Sequence, residues 1–376
     1  MPRVLVRLDD RSYPIEIGRA HVSVLRKLLR RHVGYGRVFA LCDAKWYALH
    51  GVRFFGQLSK TRLQTEVYVL PDGERTKSAQ VLAHVYDYLL SSRIARDDFI
   101  LACGGGVVSD LAGYAAATTL RGLSWGVVPT TLVGMVDAAI GGKTGINHRS
   151  GKNLIGAIWQ PKFVWTNLDY LHTLPKRHLV AGMGEILKTA GLAGGPLLVR
   201  FARFLDRGIE LGSPEMVDLV VRTTVYKAGL LAKDERDLGK RMFLNYGHTF
   251  GHAIERALGY GALLHGEAVI LGIAAALELA ETALKTKPSL LSGYAESVDR
   301  MVALVPRRQI ELHDVIQAMS LDKKRAAQKL RFILLKAPGR PVIVDAVSAS
   351  QVSHALRQML SRYQDIGGTD GKGTGR

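Results

Sequence analysis

A chain of 376 residues is too long for one ordinary core and short for three, so two domains are expected. Hydrophobic residues at 47% and charged residues at 22%, with 40 glycines spread along the chain, exclude a disordered or fibrous protein. The 51 Lys and Arg against 33 Asp and Glu give a net charge of +18, which admits nucleic acid, a membrane surface or an anionic small molecule as partner and chooses none of them.

In chain order, short β-branched runs at Arg37–Cys42, Glu66–Leu70, Phe99–Cys103, Trp125–Val128 and Phe163–Thr166 read as strands. Amphipathic stretches at Val22–Arg31, Ala79–Ser91 and Ser109–Thr118 lie between them. Such alternation predicts a parallel sheet covered on both faces, the plan of a nucleotide-binding α/β domain over residues 1–174. From about Pro175 the pattern turns mainly helical, with segments near Val180–Ala190, Pro196–Asp206, Pro214–Lys233, His248–Leu258, Gly266–Thr282, Ser289–Val302 and Ser350–Arg362, which predicts a helical domain over 175–364. Residues 365–376 are polar and Gly-rich, and are expected to form a disordered tail.

No membrane or secretory signal stands out. The apolar stretch Ala268–Leu279 is short and interrupted by Glu278, and MPRVLVRLDD lacks an apolar core before a cleavage site, so a cytoplasmic enzyme is expected. Cys42 and Cys103 each sit in an apolar run and read as structural thiols. The basic residues fall in short groups, such as Arg30-Arg31 and Lys323-Lys324-Arg325, without aromatic interleaving, which reads as solvated helix faces and not as a nucleic-acid surface.

Two glycine-rich turns and a histidine group carry the chemistry. Gly104-Gly105-Gly106 follows a strand and opens a helix, so backbone amides and the helix dipole would favour a pyrophosphate, although the spacing is not G-x-G-x-x-G. Gly141-Gly142-Lys143-Thr144-Gly145 offers a lysine to a phosphate without P-loop spacing. In HTFGHAIE, His248 and His252 stand four apart on one helix face, and His265 follows at the head of the next helix; with a carboxylate such as Glu185 of GEILK, this donor set suits Zn²⁺ with an open position. Lys188 falls on the face of Glu185.

In order along the chain, RSYPIEIG (11–18), PDGERTKS (71–78), GGGVVSDLAGYAAAT (104–118), VPTTL (128–132), VDAAIGGKTGIN (136–147), GKNLIGAIWQP (151–161), TLP (173–175), GEILK (184–188), NYGHTFGHAIE (245–255), LHGEAV (264–269) and DKK (322–324) resemble the 3-dehydroquinate synthases, a family of sugar phosphate cyclases. The resemblance implies a homodimeric phosphorus–oxygen lyase of the shikimate pathway, with NAD in a cleft between the domains and one Zn²⁺ or Co²⁺ per site. It would convert 3-deoxy-D-arabino-heptulosonate 7-phosphate to 3-dehydroquinate and phosphate by transient oxidation, elimination, reduction, ring opening and aldol closure. Position by position it implies NAD contacts at Asp43, Asp72, Glu74, Lys77, Gly105, Gly106, Val107, Asp110, Thr130, Thr131, Asp137, Lys143, Lys152 and Thr173. The implied metal ligands are Glu185, His248 and His265, which moves His252 from the metal to the substrate. The phosphate end falls to Lys143, Asn153, Lys323 or Lys324, and Arg121 from the other subunit. Lys188, Lys227, Arg241, Asn245 and His252 fall to the carboxylate and hydroxyl end.

Ser109, Met135 and Ala138-Ala139 depart from the common family residues around the cofactor turn. The competing readings are an iron- or zinc-dependent polyol dehydrogenase, a cyclase for another sugar phosphate, and a nucleic-acid binder. The first would accumulate NADH, and the last would show an affinity falling steeply with salt.

Overall fold

The computed structural model describes residues 2–365 except 20, 21, 35, 62, 238 and 327–329; the side chains of 61 and 322–326 also lie outside the description. The chain forms two compact units, one of Met1–Leu174 with Leu211–Arg236, the other of Pro175–Glu210 with Asp237–Arg376.

The first unit opens with β1 (Arg3–Val6), β2 (Tyr13–Gly18), α1 (Val22–Val33) and β3 (Val38–Asp43). From β3 the chain enters α2 (Ala44–Trp46), a π-turn at Tyr47–Gly51 and α3 (Val52–Leu58), then β4 (Thr65–Leu70) and α4 (Ala79–Ser91). Next come β5 (Phe99–Gly104), α5 (Gly106–Thr118), β6 (Ser124–Pro129), a second π-turn at Gly134–Ala138, β7 (Lys143–His148), β8 (Gly151–Ile158) and β9 (Val164–Asn167). The seven-stranded sheet runs β1-β2-β9-β6-β5-β3-β4, parallel except where β1 meets β2. β5 and β9 are buried along their whole length, and β3 is buried up to Asp43, because parallel strands with both faces covered can be apolar throughout. Cys42 and Cys103 are opposed across β3 and β5, fully buried and free.

All five predicted strands are present within a residue or two. The structure adds β1, β2 and the β7–β8 hairpin, whose run of glycines had read as a turn. Gly145 faces Gly156 across that hairpin, so strands lacking side chains at this register meet closely.

The chain then passes through α6 (Lys176–Ala193) and α7 (Gly195–Asp206) of the second unit, and returns to the first with α8 (Pro214–Leu231). Ser213 caps α8 by accepting from Met216 N at 3.2 Å, and Pro214 supplies the preset φ of a first helical position. The sequence places 175–364 in one domain; packing assigns 211–236 to the other. Helical periodicity shows which face of α8 is apolar, not which core receives it.

The second unit continues with α9 (His248–Ala257), α10 (His265–Leu284), α11 (Ser292–Ala303), α12 (Leu312–Ala326), the antiparallel pair β10 (Phe332–Leu335) and β11 (Pro341–Val344), and α13 (Ala349–Asp365). α10 is its core, buried at every position from Gly266 to Ala280. A helix apolar all round needs neighbours all round, and α6, α9, α11, α13 and β10 supply them. Its one interior charge near the end, Glu278, meets Arg362 of α13 at 2.7 Å. The short hairpin β10–β11 interrupts an otherwise helical unit. Of the expected tail, residues 366–376 lie outside the described residues. Among the described residues no helix is long and apolar enough to cross a membrane.

Candidate active site

In the first unit the candidate cofactor residues gather at the carboxyl ends of β3, β5 and β6. Asp43 ends β3 and accepts from Trp46 N at 2.9 Å, capping α2. Gly105 precedes α5 and offers its amides no side-chain cap, so Gly106, Val107 and their neighbours leave donors for an anion. Thr130 and Thr131 follow β6; Thr131 Oγ1 accepts from Gly134 N at 3.1 Å as the chain enters the second π-turn. That turn carries Asp137, whose carboxylate receives Lys227 Nζ of α8 at 2.6 Å. Lys227, which the resemblance assigns to the carboxylate and hydroxyl end of the substrate, therefore meets a candidate cofactor residue.

A polar chain ties the β7–β8 hairpin to the segment that follows β4. Asn147 Nδ2 donates to Glu74 Oε1 at 2.7 Å, Asn147 N donates to Lys77 O at 2.8 Å, and Asn153 N donates to Asn147 Oδ1 at 3.0 Å. The buried Lys77 ammonium meets both Asp110 and Asn153. Burial pushes the Asp110 carboxyl up to about 6, against the opposing pull of Lys77. Asp72 pairs with Lys45 at 2.6 Å, and Thr173 Oγ1 lies 2.8 Å from His50 Nε2. Lys143 opens β7 and Lys152 lies in β8, while Arg121 is exposed in a left-handed conformation with φ of 67°. Of the departures, Ser109 is buried and donates back to Gly106 O at 3.0 Å, and Met135 is buried in the π-turn. The methyl group of Ala138 sits against Gly106.

In the second unit three helices bring one donor set together. Glu185 of α6, His248 of α9 and His265 of α10 place a ligand atom each within 4.8 Å of one another. Each ligand follows or precedes a glycine. A Cβ on Gly266 would lie 1.9 Å from Ala181 O, so only glycine lets α10 cross α6 this closely. Gly247, with φ of 80°, turns the chain into α9 just before His248. Glu185 is 1% exposed, and neither of its carboxylate oxygens has a hydrogen-bond donor in suitable geometry, although the buried Lys188 ammonium stands in ion-pair contact. His248 Nδ1 lies 3.2 Å from Tyr246 O. Burial, then the Lys188 charge and the two neighbouring imidazoles, hold His248 well below its ordinary range, leaving it neutral. Burial lowers His265 too, but its hydrogen bond to Glu255 and the Glu185 and Glu255 charges outweigh that and raise it. A neutral imidazole and a carboxylate short of donors are what a divalent cation requires.

Beside this cluster opens a cavity of about 240 Å³, lined by polar Asn245, His248, Thr249, His252 and Arg331 and by Met242, Ile333 and Ile343. Arg241 is buried just before Asn245 on the same 3₁₀ turn. Lys323 and Lys324 lie on α12, and their side chains are outside the described residues.

Residues 67–181 match the family model described as 3-dehydroquinate synthase N-terminal, and residues 182–325 match that described as 3-dehydroquinate synthase C-terminal. The chain belongs to the 3-dehydroquinate synthase family. The 3-dehydroquinate synthase of Legionella pneumophila (strain Corby) is 41% identical over 365 residues, 96% of this chain and 97% of the relative. That of Methylococcus capsulatus (strain Bath) is 37% identical over 350 residues, 92% of this chain and 97% of the relative. Among solved structures, 2-epi-5-epi-valiolone synthase from Streptomyces hygroscopicus subsp. jinggangensis 5008, with NAD+ and Zn2+ bound, is similar at a TM-score of 0.85 and 25% identity, over 95% of this chain and 99% of that one.

Two features of this 3-dehydroquinate synthase family member were missed in the sequence. Glu255, 4% exposed, lies 3.1 Å from His265 Nδ1, and its position seven residues after His248 on one helix face was the available signal. Arg331 reaches the cavity from just before β10, a strand whose four-residue run gave no pattern to read.

Proposed function

We propose that this chain catalyses the 3-dehydroquinate synthase reaction, converting 3-deoxy-D-arabino-heptulosonate 7-phosphate to 3-dehydroquinate and phosphate with no net redox. The observation that carries the reading is the Glu185, His248 and His265 cluster, with its donor-poor buried carboxylate, in a chain of this family. The donor set fits one Zn²⁺ or Co²⁺, which would supply Lewis acidity to substrate oxygens. The uncapped start of α5 and the Glu74, Lys77, Asp110 and Asn153 network fit NAD, which would supply a hydride acceptor that also returns the hydride.

The protein's own groups then bind and orient a substrate charged at both ends. Lys143, Asn153, Lys323 or Lys324, and Arg121 from the other subunit are the proposed partners of the phosphate. Lys188, Lys227, Arg241, Asn245 and His252 are those of the carboxylate and hydroxyls, offsetting charge that would otherwise repel an elimination. His252, which lines the cavity one helical turn from His248, is the proposed group for moving a proton at a substrate oxygen.

The proposal includes a homodimer in which Arg121 acts across the interface, and a cytoplasmic location. Leu154, Ile155 and Ile158 expose 63%, 38% and 42% of their surface on β8, apolar area that a second copy would cover. Trp159, just after β8, donates to Leu123 O at 2.9 Å beside the Arg121 loop.

Incubation of the protein with the heptulosonate phosphate, NAD⁺ and Zn²⁺ tests the reading. Equal phosphate and dehydroquinate without lasting NADH absorbance are expected. Accumulating NADH would mean a dehydrogenase, and no phosphate release would mean a cyclase for another sugar phosphate.

A further inference from the structure

His265 stands between two overlapping donor sets: Glu185, His248 and His265 on one side, and His252, Glu255 and His265 on the other. The imidazole cannot serve both with the same nitrogen. Its Nδ1 lies 3.1 Å from Glu255 Oε2, while its Nε2 lies 3.7 Å from Glu185 Oε1. A carboxylate only accepts, so Nδ1 carries the proton in its hydrogen bond to Glu255; Nε2 makes no hydrogen bond to Glu185, and in the neutral ring it holds the lone pair on that side. His248 has its Nδ1 against a backbone carbonyl, Tyr246 O, at 3.2 Å, which leaves its Nε2 as the free lone pair as well. Glu185 lacks hydrogen-bond donors in suitable geometry, whereas the Glu255 carboxylate is engaged by His265.

We propose that Glu255 is the positioning residue of the metal centre: it holds His265 as the Nδ1–H tautomer, aims Nε2 at Glu185, and thereby selects the Glu185, His248, His265 set over its rival. The inference rests on the metal-site reading above. A buried carboxylate bonded to the remote nitrogen of a ligand histidine both fixes the ring and strengthens the ligand nitrogen. α9 carries His248 and Glu255 on one face, so a single helix supplies a ligand and the group that orients another ligand from α10.

The test is zinc affinity of metal-stripped protein by chelator competition, with ¹⁵N spectra of the His265 ring and melting of the metal-free proteins as readouts independent of turnover. Glu255→Ala should bind zinc about 10- to 100-fold more weakly. Glu255→Gln, whose amide oxygen still accepts from Nδ1–H, should melt like wild type, keep the Nδ1–H signature and bind closer to wild type than Ala does. His252→Ala should bind zinc as wild type does. Wild-type affinity in Glu255→Ala, or an equal fall in Gln and Ala, would overturn the proposal; a fall in His252→Ala would assign the cation to the rival set. Zinc retained by His248→Ala would instead sink the metal-site reading itself, whatever Glu255 does.

Discussion

Asp110, a candidate cofactor residue, shows how burial sets the protonation of a carboxyl in the folded chain. Its carboxyl is mostly buried, and burial raises it from 3.8 to about 6 although Lys77 pulls the other way. Because the folded-state value is the higher one, the Asp110 contribution to stability is fully present below about 4 and is lost as pH rises through about 6. In NAD-free protein the ¹³C titration of Asp110 should therefore have its midpoint near 6, and Lys77→Met should move it higher by removing the cation that favours the charged form. A midpoint at the ordinary 3.8 would contradict the burial argument. At this scale the sequence was informative where residue type is rare and chemical, as with His248 and His265, and silent where it is common. Glu255 looks like one more acid on a helix, and only the distance to His265 reveals its task.

At the scale of elements, the site depends on how closely helices cross. Gly266 of α10 has no room for a methyl group against Ala181 of α6, and Gly272 of α10 would place one 2.0 Å from Gly247 O, at the entry to α9. Gly266→Ala should force α10 away from α6, costing about 1–3 kcal/mol of stability and weakening zinc binding, since His265 is the residue immediately before it. Gly293→Ala in α11, where nothing lies within 4 Å, should be neutral or slightly stabilising. Melting curves and zinc titrations of the two variants check this; equal effects would mean that the close crossing does not set the ligand geometry. The strands β3, β5, β6 and β9 were legible because buried parallel strands are written as continuous apolar runs. The β7–β8 hairpin was not, because glycines that permit two backbones to meet look, in one dimension, like a turn. α8 was legible as a helix and its allegiance was not.

For the whole molecule, one chain supplies a parallel-sheet unit suited to a dinucleotide and a helical unit suited to a divalent cation, with α8 returning from the helical stretch to the sheet. The +18 charge agrees in sign with a substrate anionic at both ends. Composition excluded fibrous and disordered proteins, but the reaction could be read only from ordered motifs, because fold alone serves dehydrogenases and cyclases alike. The central claim is a redox-neutral cycle in which the hydride that leaves the substrate comes back. The most direct test is turnover of heptulosonate phosphate deuterated at the ring carbon that is oxidised, in unlabelled water with limiting unlabelled NAD⁺. Deuterium retained at that carbon in the dehydroquinate formed, with the cofactor recovered as NAD⁺, is the predicted result. Washout of the label from the product, or its accumulation in reduced cofactor, would contradict it.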